Sequence, residues 1–244
     1  MASGKLVLFD IPSREPCKSW SPNTLKTRLA LNFKGIDYET EWIEYPDIAP
    51  KLAEAGVSPQ TGELAPYTLP AVRLPSGKYV MNSASIITEL EALKPTPPLI
   101  PNDQAQALVD VAYGLMVETW GSMRPLCMNR VARQVLNPAS VEHFETARAE
   151  RFGMSLAELE KKKGGEEAWA ATKEGALKAA RLLKQTEGPF FAGTQVTYAD
   201  LVYVGCLQSV RRVGEDLFQR LVGYDESLEV LYNECKQWVE RDSY

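Results

Sequence analysis

Lys5-Leu6-Val7-Leu8-Phe9-Asp10, then Ser21-Pro22-Asn23-Thr24-Leu25-Lys26-Thr27-Arg28-Leu29-Ala30-Leu31-Asn32-Phe33-Lys34-Gly35, then Tyr38-Glu39-Thr40-Glu41-Trp42-Ile43: these three segments decide how the chain begins to fold. The apolar run Lys5 to Asp10 reads as a buried strand, and Ile11 to Ser19, with Pro12 and Pro16, reads as loop. Ser21-Pro22 supplies an N-cap and a proline at the first helical position. Leu25, Leu29 and Phe33 then recur every four residues until Gly35 stops the pattern. With Tyr38 to Ile43 as a second strand, the unit is strand-helix-strand, whose strands run parallel through a right-handed crossover.

Ile48 to Ala55 reads as a short helix ended by Gly56, and Pro59 to Pro66 as loop. Ala71 to Leu74 and Tyr79 to Met81 are short apolar runs joined by Pro75-Ser76-Gly77-Lys78, which suits an antiparallel hairpin. Ser83 is expected to cap a helix bearing Ile86, Ile87, Leu90 and Leu93, closing near Lys94 before Pro95, Pro97, Pro98 and Pro101. That proline cluster is the best domain boundary, dividing an α/β domain at 1-95 from an all-α domain at 103-244. Beyond it the period is helical: Leu108, Val111, Ala112 and Leu115 mark one helix, and Leu228, Leu231, Tyr232, Cys235, Trp238 and Val239 the last. Glu142 to Glu167 is charge-rich and is expected to be a solvated helical excursion.

Composition excludes several classes of function. Apolar residues at 45% and charged residues at 24% of 244 are those of an ordinary globular protein. A net charge of -5, with lysines and arginines scattered among acids, offers no basic stripe, so the expected partner is a small molecule and not nucleic acid. No apolar span is long enough to cross a bilayer, and the first residues lack the pattern of a secretory signal. Cys17, Cys127, Cys206 and Cys235 form no CxxC pair, which points to a reducing, cytoplasmic setting without a metal site. His143, the single histidine, sits in a polar helical stretch and reads as a surface residue, so a His-based triad lacks material.

The order of elements, α/β first and all-α after a proline-rich linker, resembles the glutathione transferase family over almost the whole chain. Ser21-Pro22-Asn23-Thr24-Leu25-Lys26-Thr27-Arg28 is similar to the opening of the first helix in serine-type transferases. Leu69-Pro70, followed twelve positions later by Asn82-Ser83, is similar to the family's cis-proline and its Glu/Gln-Ser pair. Phe190-Phe191-Ala192-Gly193-Thr194-Gln195-Val196-Thr197-Tyr198-Ala199-Asp200-Leu201 is similar to the loop and capping box that enter the family's central helix. The resemblance implies a thioredoxin-like N-terminal domain that binds glutathione as co-substrate.

A free thiol has a pKa of ~8.5, and its thiolate is the nucleophile. A helix N-terminus carries unpaired N-H groups and about half a positive charge, and a hydroxyl there can donate to sulfur, so both favour the anion. The resemblance makes Ser21 that donor; the alternative is that Ser21 only caps its helix. Asn23 is a second polar candidate at the same helix start. By the same resemblance the bond before Pro70 is cis, which frees the backbone of Leu69 to pair with the cysteinyl part of glutathione as an added strand would. Ser83, at a helix start, suits the γ-glutamyl carboxylate. Asn82 stands where the family has Glu or Gln and is shorter and uncharged, which weakens its hold on the ligand's ammonium. Thr197 and Asp200 belong to folding, as a capping box. Cys17 is the rival nucleophile, four residues before Ser21 in a proline-containing loop.

The second substrate is expected between Trp20, Tyr45 and the first helix of the α domain, where Tyr113, Met116, Trp120, Met123 and Met128 are candidates for an aromatic, adaptable lining. A stripe of this kind can equally be core. Leu8 to Ser13, Trp20 to Asn23, Thr40 to Ile48 and Pro66 to Ala71 most resemble the fungal FuA transferases related to bacterial β-aryl-etherases. That implies a homodimer conjugating glutathione to hydrophobic or aromatic electrophiles, in an etherase-like or detoxifying role. Two alternatives remain: a ligandin-type carrier of aromatic compounds, and a thiol-exchange enzyme using Cys17.

Overall fold

In the computed structural model, which describes residues 4–61 and 65–243, Leu6–Asp10 forms β1, a strand buried at every position. A strand covered on both faces needs apolar side chains in both directions, which is why no polar alternation interrupts Leu6 to Phe9. β2 (Tyr38–Trp42) lies on one side of it and β3 (Ala71–Arg73) on the other, with β4 (Tyr79–Met81) outermost, in the order β2-β1-β3-β4. β1 and β2 are parallel, with Leu6 opposite Tyr38 and Asp10 opposite Trp42. β3 runs antiparallel to β1, Phe9 facing Ala71, and pairs with β4 as the expected hairpin.

The crossover is α1 (Pro22–Lys34), capped by Ser21 and stopped by Gly35 at φ 58, a backbone state open to glycine at little cost. α2 (Ile48–Glu54) follows a 3-10 turn at Tyr45–Asp47. The loop expected over 59–66 includes residues 62–64, which lie outside the described residues. α3 (Ser83–Leu93) begins one residue away from expectation: its cap is Asn82, whose Oδ1 accepts the Ala84 N-H at 2.9 Å, and Ser83 is the first helical residue. Asn outranks or equals Ser as an N-cap, and the shorter reach of Asn82 suits it to that bond.

From Asp103 onward the described elements are all helical. They are α4 (Asp103–Arg130), α5 (Pro138–Phe152), α6 (Leu156–Lys163), α7 (Glu166–Leu183), α8 (Tyr198–Val213), α9 (Glu215–Val222), α10 (Glu226–Glu234) and α11 (Lys236–Val239). α4 runs through Pro125 and ends in a π-helical turn at Val131–Val135. The single last helix read from the sequence is two, because Cys235, at φ -89 and ψ -2, breaks the ladder. Among the described residues no helix is long and apolar enough to cross a membrane.

α8 is the central post, packed against α4 and α1. Asp200 accepts from the Thr197 N-H at 2.7 Å, from the Thr197 hydroxyl at 3.0 Å and from the Phe191 N-H at 2.7 Å, so the capping box also fixes the loop before it. A Cβ added at Gly205 would lie 3.2 Å from the backbone nitrogen of Lys26, so the missing side chain lets α1 approach α8 closely. The stretch 142–167 is not wholly solvated. Phe144 is buried, and α5, which ends at Gly153 with φ 68, packs against the 3-10 turn at Tyr45–Asp47 that follows β2.

Candidate active site

Ser21 ends the loop after β1 and starts α1 with an extended backbone, φ -73 and ψ 131. Its carbonyl accepts the first intrahelical bond from Leu25 at 2.9 Å, while its Oγ accepts the Asn23 N-H at 3.4 Å. The second is a long bond, and it leaves the hydroxyl hydrogen free to donate elsewhere. Pro22 occupies the first helical position and brings no N-H of its own, so the first amides of the helix are that of Asn23, turned to Ser21 Oγ, and that of Thr24.

The loop is held by a buried ion pair. Asp10 and Arg28 are almost fully enclosed, with Arg28 Nη2 3.0 Å from Asp10 Oδ2. The Ser19 hydroxyl donates to the same Oδ2 at 2.7 Å, and the Ile11 N-H to Oδ1 at 2.7 Å. Arg28 spends its remaining donors on Thr40 Oγ1 at 2.9 Å and the Tyr38 hydroxyl at 3.3 Å. The end of β1, both sides of the crossover and the residue two before Ser21 are thus one network. Arg14 Nε donates to the Leu136 carbonyl at 2.7 Å, tying the same loop to the helical domain.

Leu69-Pro70 is cis, and among the described residues no hydrogen bond takes the Leu69 N-H or carbonyl. Asn82 holds φ 80, a strained state for a residue other than glycine. It is fixed from both sides, its N-H on the Pro70 carbonyl at 3.3 Å and its Oδ1 on Ala84. Ser83 is buried, and its hydroxyl lies 2.8 Å from that of Tyr113, which is 3.3 Å from that of Tyr198. This relay joins the start of α3 to α4 and α8.

The cleft beside Ser21 is lined by Trp20, Tyr45, Trp120 and Asn23, as expected, together with Met116 and Met128. Two expected residues are elsewhere. Met123 is fully enclosed in the core, since α4 turns that position toward the interior one helical turn after Trp120. Tyr113 is drawn to Ser83 and carries the Lys26 ammonium 4.5 Å over its ring, away from the cleft wall. Phe144 and Phe152 of α5 were missed, as were three arginines, Arg124, Arg148 and Arg151. Burial raises the Tyr45 hydroxyl to about 12, against the opposing pull of Arg148, so it stays protonated. His143 is exposed, as expected, and stacks on Tyr45 with ring centres 6.2 Å apart.

Comparison with known proteins decides the family. The profile of the glutathione S-transferase N-terminal domain matches residues 20–93, and that of the glutathione S-transferase C-terminal domain matches residues 107–238. The chain belongs to the glutathione S-transferase family. A glutathione S-transferase-like protein of Aspergillus flavus, ustS, is 34% identical to this transferase across 96% of this chain and 91% of that one. A glutathione S-transferase of Ceriporiopsis subvermispora, solved in complex with glutathione, superposes with a TM-score of 0.87 at 32% identity, covering 96% of this chain and 98% of that one. A GSTFuA transferase of Phanerochaete chrysosporium gives 0.86 at 28% identity, covering 97% and 98%. The FuA resemblance read from the sequence agrees with these neighbours, and the family uses glutathione as co-substrate. The groups present fit that tripeptide: a free backbone donor and acceptor at Leu69, a hydroxyl at the start of α3, and a hydroxyl at the start of α1.

Two ionisable side chains of the transferase near this site behave unusually. Burial pushes the Cys17 thiol up, with Glu15 and Asp10 adding to the effect, which opposes a thiolate there. Burial also pulls Lys26 down to about 8, with no carboxylate among its described partners, which are Asn23 Oδ1 at 3.3 Å and the face of the Tyr113 ring. A lysine depressed on folding costs stability fully below about pH 8; above that the folded state sheds the proton first, and stability rises until the unfolded lysine titrates near 10.4. Lys26→Met is therefore expected to gain on the order of 2 kcal/mol at neutral pH and to lose the rise between pH about 8 and about 10. Urea unfolding at both ends of that range checks it, and a variant no more stable at neutral pH contradicts it.

Proposed function

We propose that this transferase ionises the thiol of glutathione at Ser21 and transfers the glutathionyl group to a hydrophobic aromatic electrophile held in the adjoining cleft. One observation carries the reading: the Ser21 hydroxyl, with a hydrogen free to donate, lies at a helix N-terminus and lines the same cleft as Trp20, Tyr45, Trp120 and Phe144. Ser21 and the α1 amides, with Asn23 beside them, stabilise the thiolate. The Leu69 backbone, positioned by Pro70, pairs with the cysteinyl unit, and Ser83 with Asn82 holds the γ-glutamyl end. The thiolate attacks the electrophilic carbon, a C-S bond forms, and the leaving group departs with its electron pair; the thiol proton passes to solvent. A homodimer in the cytoplasm, acting in detoxification or etherase-like chemistry, completes the proposal.

Absorbance of bound glutathione against pH tests this. The thiolate band is expected to titrate below pH about 7, against ~8.5 for a free thiol. A protein without affinity for glutathione, or one whose bound thiol titrates at the free value, ends the reading. A second reading, carriage of aromatic ligands with little turnover, draws on Asn82, whose oxygen is already engaged by Ala84 and carries no full charge toward an ammonium. Tight aromatic binding with negligible conjugation selects that reading. Thiol exchange through Cys17 is disfavoured by the raised pKa of that thiol.

A further inference from the structure

Phe144, Arg148, Arg151 and Phe152 recur on α5 at intervals of four, three and one, so a single face of the helix carries two guanidinium groups flanked by two rings. That face lines the cleft, and Arg124 of α4 lines it too, while among the described residues no aspartate or glutamate does. Among the described residues, none of the three arginines has a carboxylate partner. Elsewhere in this acidic chain several arginines are paired, among them Arg28 with Asp10, Arg130 with Asp216, Arg211 with Glu215 and Arg220 with Glu166, whereas the three in the cleft stand together on one wall without a carboxylate. The neighbouring acids of α5, Glu142, Glu145 and Glu150, are exposed and absent from the cleft lining.

Three like charges around one cleft repel one another. Burial first, and then Arg151 and Arg148, lower the pKa of Arg124. Part of the arrangement has an internal reason, since the Arg148 guanidinium lies 4.7 Å from the centre of Phe144 and 5.9 Å from that of Tyr45. Stacking leaves the in-plane N-H groups of Arg148 unspent, a fork that suits a carboxylate. Donors without acceptors call for a ligand that brings the acceptors.

We infer that the electrophile taken by this cleft is an aromatic anion, with a carboxylate or sulfonate held by Arg124, Arg148 and Arg151 while its ring packs against Trp20, Tyr45 and Phe144. The inference rests on the proposed function for the word electrophile; the anion site itself stands on the side chains. Its consequence is selection by charge: neutral aromatics of the same shape leave three guanidinium groups unanswered, and acidic ones do not.

The test compares 3-nitrobenzoate with 3-nitrobenzamide, near-isosteres differing in charge, by quenching of tryptophan fluorescence at low ionic strength, with and without saturating glutathione. The carboxylate is expected to bind at least about tenfold more tightly, the range of charge-assisted hydrogen bonds. Salt should shrink that preference in the unmodified protein. Arg124→Gln/Arg151→Gln should bring it to within about threefold, and Arg124→Lys/Arg151→Lys should retain most of it. Equal affinities in the parent protein overturn the inference, as does a preference that survives the glutamine pair. Loss of the preference in saturating glutathione also overturns it, because the arginines would then serve the tripeptide's own carboxylates. A preference for the anion in a protein that never binds glutathione removes the proposed function and leaves the anion site, whereas conjugation without charge preference does the reverse.

Discussion

Ser21→Ala is expected to lower kcat/KM for glutathione conjugation about a hundredfold, and to return the bound thiol's titration toward ~8.5. The size follows from what is removed and what stays. In the proposed function the hydroxyl is a preorganised donor to a developing or full negative charge, and loss of one such donor costs about a hundredfold to a thousandfold. The α1 amides and the helix field remain, so the effect falls at the lower end of that range. Stability should change little, since the capping bond that Ser21 accepts is 3.4 Å long and a lost cap costs about 1 kcal/mol. Ser21→Thr keeps a hydroxyl and should recover part of the rate, which a purely structural role would not require. Stopped-flow ionisation of glutathione and steady-state conjugation on the same preparations read both consequences. An alanine protein with full activity and an unmoved thiol titration would leave Ser21 a helix cap and nothing more.

The elements around Ser21 were legible because each carries a local signal that tertiary packing reinforces. Leu6 to Phe9 is apolar without alternation because both faces of β1 are covered, and Ser21-Pro22 with Gly35 brackets α1 at both ends. The Thr197-Asp200 box is likewise local. The cleft was legible only in part, because a helical period tells which residues share a face and not what that face meets. Trp120 and Met123 are one turn apart on α4, yet one lines the cleft and the other is fully enclosed. Tyr113 depends on partners in two other elements, Ser83 and Tyr198, which no spacing reveals. The arginines had a signal that went unread. Phe144, Arg148, Arg151 and Phe152 form a mixed stripe, but Glu142, Glu145 and Glu150 between them make the segment look uniformly polar. Asn82 differs again: its positive φ and its engagement with Ala84 follow from the meeting of β4 and α3, and asparagine is merely permitted there.

Asp10→Ala is expected to have the largest effect on folding, about 3–5 kcal/mol, because it strands a buried guanidinium. Arg28 is 1% exposed and Asp10 is wholly enclosed, so solvent cannot take over for the missing partner. Three donors lose their acceptor at once: Arg28, the Ser19 hydroxyl and the Ile11 amide. Arg28→Met in the same protein should restore part of the loss by removing the second charge, whereas Arg28→Met alone leaves Asp10 unpaired and should cost a similar amount. Urea unfolding of the four proteins closes the cycle, and a coupling below about 0.5 kcal/mol would mean that the pair does not act as a unit. A consequence for activity separates this network from an ordinary core. Ser19 is anchored to Asp10 at 2.7 Å and precedes Ser21 by two residues, so freeing it would loosen the Ser21 hydroxyl that the proposed function aims at sulfur. A small misplacement of a catalytic group can cost about a hundredfold in rate. Asp10→Ala protein assayed where it is still fully folded should therefore show reduced kcat/KM and a raised thiol titration with intact secondary structure, which a substitution elsewhere in the core would leave unchanged.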